Sequence, residues 1–177
     1  MATTSRRKLP LPGRLAVSLR DDLTIELNAL AGGSGWVAVQ STTPRCHVRL
    51  DVTRVEAIGC EVASLTVSAP SIAGIAVDEL KAWSTRLASR LTYLLESLVP
   101  LEVDEENGEV LLRSEQPQTL PSGREYYELL LAAAGTDSVR LTRYRSEAGV
   151  LGRDAVEMLL TRDVVGRLVD DVIATMP

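Results

Sequence analysis

Cys46-His47-Val48-Arg49-Leu50-Asp51-Val52 alternates without a break: Cys46, Val48, Leu50 and Val52 are apolar, and His47, Arg49 and Asp51 between them are polar. Successive strand side chains point to opposite faces, so this stretch reads as a strand with one face in a core and the other in solvent. Clean alternation of this kind belongs to antiparallel sheets, which can leave one face wet.

Working outward, Trp36–Gln40 reads as a strand after the flexible Gly32-Gly33-Ser34-Gly35 connection, and Val55–Val67 as a longer one with Gly59 suggesting a bulge. Further upstream, Arg14–Arg20 and Leu23–Asn28 also alternate, so they are expected to form a hairpin turning at Asp21-Asp22. Downstream the period changes. Leu80, Trp83, Leu87, Leu91, Leu94, Leu95 and Leu98 recur three or four apart, with Asp78 and Glu79 at the start and Pro100 beyond the end. That spacing predicts an amphipathic helix over about residues 78–98.

Asn107-Gly108 then predicts a two-residue hairpin joining residues 101–105 to 109–113, with Val103 opposite Leu112 and Glu102 opposite Arg113. Tyr126–Ala132 and Val139–Arg145 read as paired strands, and Val156–Leu160 as a last short one. Val164, Val165, Leu168, Val169, Val172 and Ile173 mark a closing helix over about 162–174, capped by Thr161. The expectation is one α+β domain over residues 14–177, with a mainly antiparallel sheet of about eight to ten strands and two packed helices, preceded by an extended basic tail at 1–13. Its second half, helix–four strands–helix, resembles small chaperone-like α+β domains in element order, a likeness of fold that implies no function.

Composition narrows the partners. Residues 1–20 carry five bases and no acid, so the remaining 14 bases face 24 acids and the body is net −10. An acidic body repels polyanions, so no nucleic-acid partner is expected. No run of about 18 apolar residues occurs, and Leu9-Pro10-Leu11-Pro12 stands where a secretory signal keeps its apolar segment. No membrane partner is expected, and two cysteines suit free thiols in the cytoplasm better than a disulfide scaffold.

The chemical motifs are incomplete. Cys46, His47 and Cys60 are the only soft metal ligands, and adjacent Cys46 and His47 point to opposite faces, so no metal site is expected. A Cys46–Cys60 bridge is the alternative to two free thiols, through a hairpin turning near Thr53. His47 with Arg49 and Asp51 is a catalytic fragment at most; an exposed strand face is the commoner use of such a trio. Gly32-Gly33-Ser34-Gly35-Trp36 is neither a nucleophile elbow nor a phosphate loop. Glu102, Asp104 and Glu106 form a linear carboxylate row without the enclosing loop that calcium needs.

The remaining surface is Arg124, Tyr126, Tyr127, Arg140, Arg143, Tyr144 and Arg145 on two paired strands. Arginine beside aromatic rings suits recognition of phosphate, nucleotide or protein. Ligand or partner binding is therefore assigned to Arg124, Tyr126, Arg140, Arg143 and Tyr144, with Arg140, Thr142 and Tyr144 on one face. The reading is a non-enzymatic protein-interaction, adaptor or assembly domain without cofactor, whose partner is another protein or a second copy. The alternative is a small-molecule or phosphate-binding protein, or an enzyme, using an Arg/Tyr/Glu site without metal.

Overall fold

The computed structural model describes residues 18–42 and 45–177. Among them the chain forms α1 (Leu19–Ala29), β1 (Gly35–Thr42), β2 (Arg45–Val55), β3 (Gly59–Ser68), α2 (Val77–Arg90), β4 (Leu98–Asp104), β5 (Glu109–Ser114), β6 (Gln118–Leu120), β7 (Gly123–Ala132), β8 (Val139–Glu147), β9 (Asp154–Val156), β10 (Met158–Thr161) and α3 (Arg162–Thr175). The ten strands make one antiparallel sheet whose main path is β1-β2-β3-β8-β7-β5-β4. This is the expected α+β architecture.

β3 and β8 pair only from Leu65 to Val67 and then part. The chain fills that wedge by running in along β8 as β9, reversing at Glu157, and running out along β3 as β10. The three helices cover one face in the order α1, α3, α2. A single core joins Leu23 and Leu27 of α1, Trp83 and Leu87 of α2, and Val165, Leu168 and Val169 of α3 to the sheet. The other face of the sheet carries no helix among the described residues, and β2 and β5 keep the half-apolar alternation read from residues 46–52. Cys46, Val48 and Leu50 are wholly buried, while His47 and Arg49 are exposed.

Four expectations are corrected. Residues 19–29 form α1 rather than part of a hairpin, giving three helices instead of two; Arg14–Val17 and the tail at 1–13 lie outside the described residues. Leu19, Leu23 and Leu27 satisfy both periods, and the capping box decides between them. Ser18 accepts from Asp21 N–H while the Asp21 carboxylate accepts from Ser18 N–H, and Asp21 and Asp22 sit where the helix dipole favours acids. Ile25, which a strand would have faced inward, is 44% exposed.

The helix expected over 78–98 ends at Arg90. A 3-10 turn, Thr92–Leu94, follows, and then Leu95 at φ 64° turns the chain into β4. Leu91, Leu94 and Leu98 are still buried, so the helical spacing continues across a turn and into a strand, whereas Leu95 is exposed.

The Asn-Gly hairpin has a four-residue connection. Asp104 faces Glu109, Val103 faces Val110 and Glu102 faces Leu111. The Asp104 carboxylate accepts from both the backbone N–H and the side-chain amide of Asn107, which organises the wider turn. Finally, the β2–β3 hairpin turns at 56–58, not near Thr53, and the register slips at Thr53 and at Ala63 rather than at Gly59.

Candidate functional site

The Arg/Tyr residues split between the two faces of β7 and β8. Arg143 points to the helix side. It donates to Glu125 Oε2 at 3.2 Å, Glu96 Oε1 at 3.0 Å and Gln118 Oε1 at 2.7 Å, and its guanidinium lies 4.5 Å from the Tyr127 ring centroid. Arg145 donates to the other oxygen of Glu125. Burial raises the Glu125 pKa, but the hydrogen bonds and charges of Arg145 and Arg143 outweigh it and hold the carboxyl below its usual range.

On the open face, Glu128 Oε1 accepts from Arg113 Nη2 and Arg153 Nη1, both at 2.6 Å. Arg113 lies over Tyr126 and Arg153 over Tyr144, and the two rings pack 6.3 Å apart. Arg153 comes from the β8–β9 connection and arches over the sheet. Arg140, further along β8, donates to Asp137. Arg124 is exposed and lines a shallow depression with Leu120, Pro121 and Ser146.

The five residues assigned to binding are therefore not one constellation. Tyr126 and Tyr144 share a cluster, Arg143 belongs to a separate one, and Arg140 and Arg124 stand apart. Glu96, Gln118, Glu128 and Arg153 complete these clusters; Glu96 and Arg153 come from loops and Gln118 from β6, so spacing does not reveal them, whereas Glu128 lies two residues beyond Tyr126 on β7 and shares its face by alternation. What the arrangement does chemically is hold charges: each guanidinium of the two clusters already engages a carboxylate.

The other candidates are also placed. Cys46 and Cys60 are both free and buried, and burial pushes both thiols upward, the reverse of what a nucleophile needs. Cys46 faces Ser41, whereas Cys60 faces Val55 and Leu160, so the two are not cross-strand partners. Among the described residues no group of three or more His, Cys, Asp or Glu is arranged to hold a metal. Asp104 of the carboxylate row is occupied by Asn107.

The two long edges of the sheet differ sharply. β4 carries Pro100, Glu102 and Asp104 and a bulge at Leu101, all devices that discourage a further strand. β1 is eight residues, Gly35 to Thr42, with no charge and no proline, in unbroken register with β2. The direction of its backbone groups follows from the ladder. Core-facing Val67 of β3 accepts from Ser138 N–H, on the β8 side. In antiparallel pairs the bonding direction alternates with the side-chain face, so the open-face residues of β3 bond β2, and the core-facing residues of β2 bond β1. On β1, Val37 and Val39 therefore bond inward, and Trp36, Ala38 and Gln40 aim their N–H and C=O groups at the outer edge, which no strand among the described residues covers. Trp36 is half-exposed beside them, with Arg49 stacked 5.4 Å from its ring centroid.

No helix among the described residues is long and apolar enough to cross a membrane. Comparison with protein-family models, with characterised proteins and with solved structures finds no match for this chain.

Proposed function

We propose that this domain is a protein-interaction module, an adaptor or assembly component, that adds an extended segment of a partner protein to β1. The observation that carries the reading is the contrast between the two long edges: β4 is blocked by proline, bulge and charge, and β1 by none of them. An open, uncharged edge is a template for strand addition, in which backbone hydrogen bonds supply affinity and alternate side chains supply specificity. The Arg/Tyr clusters support the same reading indirectly. A phosphate or small-molecule site needs guanidinium groups to spare, and Arg113, Arg143 and Arg153 are each held by a carboxylate. Two buried, reduced thiols support a cytoplasmic setting, where thiols stay reduced.

The test is affinity capture from the native host with three baits. Ala38→Pro removes one outward N–H while leaving the bonds from Val37 and Val39 to β2, so it should lose the partner recovered by the wild-type chain. The double variant Arg140→Ala with Tyr144→Ala should keep it. Retention by Ala38→Pro together with loss by the double variant would move the site to the open sheet face.

A further inference from the structure

We infer that, while no partner is bound, β1 pairs antiparallel with β1 of a second copy, closing the edge through a reciprocal Trp36–Ala38 contact. The inference rests on the strand-addition reading above and adds how that edge is kept until a partner arrives. An eight-residue edge without charge or proline is an aggregation hazard unless something covers it. β1 carries the means itself. Trp36 and Ala38 lie two residues apart, so their side chains share the open face, and both send their backbone groups outward. Trp36 is 49% exposed, whereas Trp83 of α2 is wholly buried. Ala38 fills the place beside the Trp36 ring with no more than a methyl group.

A two-fold axis normal to the sheet at Val37 puts Trp36 of each copy opposite Ala38 of the other. Both become hydrogen-bonded pairs, each exchanging its N–H and C=O groups. Each ring then lies over the other copy's Ala38, and the two Trp36 side chains become diagonal neighbours within reach of one another. Val37 meets Val37 on the helix side. An axis at Ala38 would set only Ala38 beside each ring, and one at Val39 would set Gln40 beside Ala38, so the axis at Val37 gives the best fit. No charge on β1 opposes this register. Glu26, exposed on the flank of α1 away from the Arg20–Asp163 pair, meets its copy only through solvent, where salt screens it. The contact is isologous and β4 is blocked, so assembly stops at two copies. Its span, Gly35 to Val39, falls far short of the roughly 20–30 residues a side of a standard interface. The pair is therefore weak, and a partner strand competes for the same backbone groups.

The test is sedimentation velocity of the full chain over a dilution series, with tryptophan emission recorded in parallel. The expected result is a concentration-dependent dimer whose formation moves the emission to shorter wavelength, since Trp36 is the exposed one of the two tryptophans. Trp36→Ala trims a half-exposed ring, so it keeps the fold, and it should weaken the dimer at least about 10-fold. Ala38→Leu fills the place the ring takes without removing a hydrogen bond and should also weaken it; Ala38→Pro should abolish it. Adding the partner recovered by affinity capture should split the dimer into complexes with one copy each. A chain that stays monomeric throughout, while Ala38→Pro still loses the partner, overturns self-pairing and keeps strand addition. A dimer that survives both Trp36→Ala and Ala38→Pro uses another surface and overturns the inference. A partner that binds without splitting a dimer sensitive to Ala38→Pro overturns the shared edge, and with it the strand-addition reading.

Discussion

Arg143 and Glu96 meet at 3.0 Å with only 9% of each side chain exposed, and Glu96 lies one residue beyond Leu95, whose φ of 64° is the one positive value outside glycine among the described residues. The ion pair holds the turn between α2 and β4. Removing one partner of a buried pair strands the other, so Arg143→Ala should destabilise by about 3–5 kcal/mol in denaturant unfolding. A loss under about 1 kcal/mol would show that water takes over the role of Arg143.

Leu95 itself is fully solvated yet sits in a region that side chains disfavour. Leu95→Gly should therefore be neutral or stabilising, by up to about 1 kcal/mol. Gly123→Ala should do the opposite, because a Cβ there would fall 2.0 Å from the Ser146 carbonyl oxygen. Melting temperatures of the two variants should move in opposite directions; a drop for both would mean that Leu95 makes contacts its exposure does not show.

Acid should weaken the domain through Glu125. Its carboxyl is held below its ordinary value of 4.5 in the folded chain. The stability it contributes is thus present above about pH 4.5 and lost as the pH falls through the lower folded value. Glu125→Gln should flatten the acid limb of a stability–pH curve; an unchanged limb would assign acid sensitivity to other carboxylates.

The Trp83 indole donates to Thr175 Oγ1 at 3.0 Å, tying α2 to α3 across a wholly buried site. Thr175→Val keeps the volume and orphans the donor, for a cost of about 1–3 kcal/mol. Leu91→Ala, at the end of the same stripe, should cost about 2–5 kcal/mol. A change under about 0.5 kcal/mol for Leu91→Ala would place that residue at the surface.

The sheet was legible wherever a strand had one wet face, as at residues 46–52, because burial then writes itself as alternation. Residues 19–29 misled because their leucines fit either period, and the Ser18–Asp21 capping box is a four-residue signal easily taken for a turn. Leu91, Leu94 and Leu98 misled for a related reason: they reach one core from a helix end, a 3-10 turn and a strand. At the candidate site the residue types were legible but their partners were not, since Arg143 finds Glu96 from 47 residues away and Arg153 finds Glu128 across 25. The open edge was readable in principle, as eight residues without charge or proline. What spacing alone does not reveal is that β1 lies at the end of the sheet.

The central claim is that β1 pairs with an extended segment of a partner protein, and residue-resolved amide hydrogen exchange tests it most directly. Exchange is measured for the full chain alone, diluted until it is monomeric, and with a saturating amount of the partner recovered by affinity capture. Trp36, Ala38 and Gln40, whose N–H groups aim outward, should exchange fast in the free chain and slow on binding. Val37 and Val39, already bonded to β2, should be protected in both. Protection that appears instead around Arg140 and Tyr144, or no change at Trp36, Ala38 and Gln40 when the partner is bound, would contradict the account.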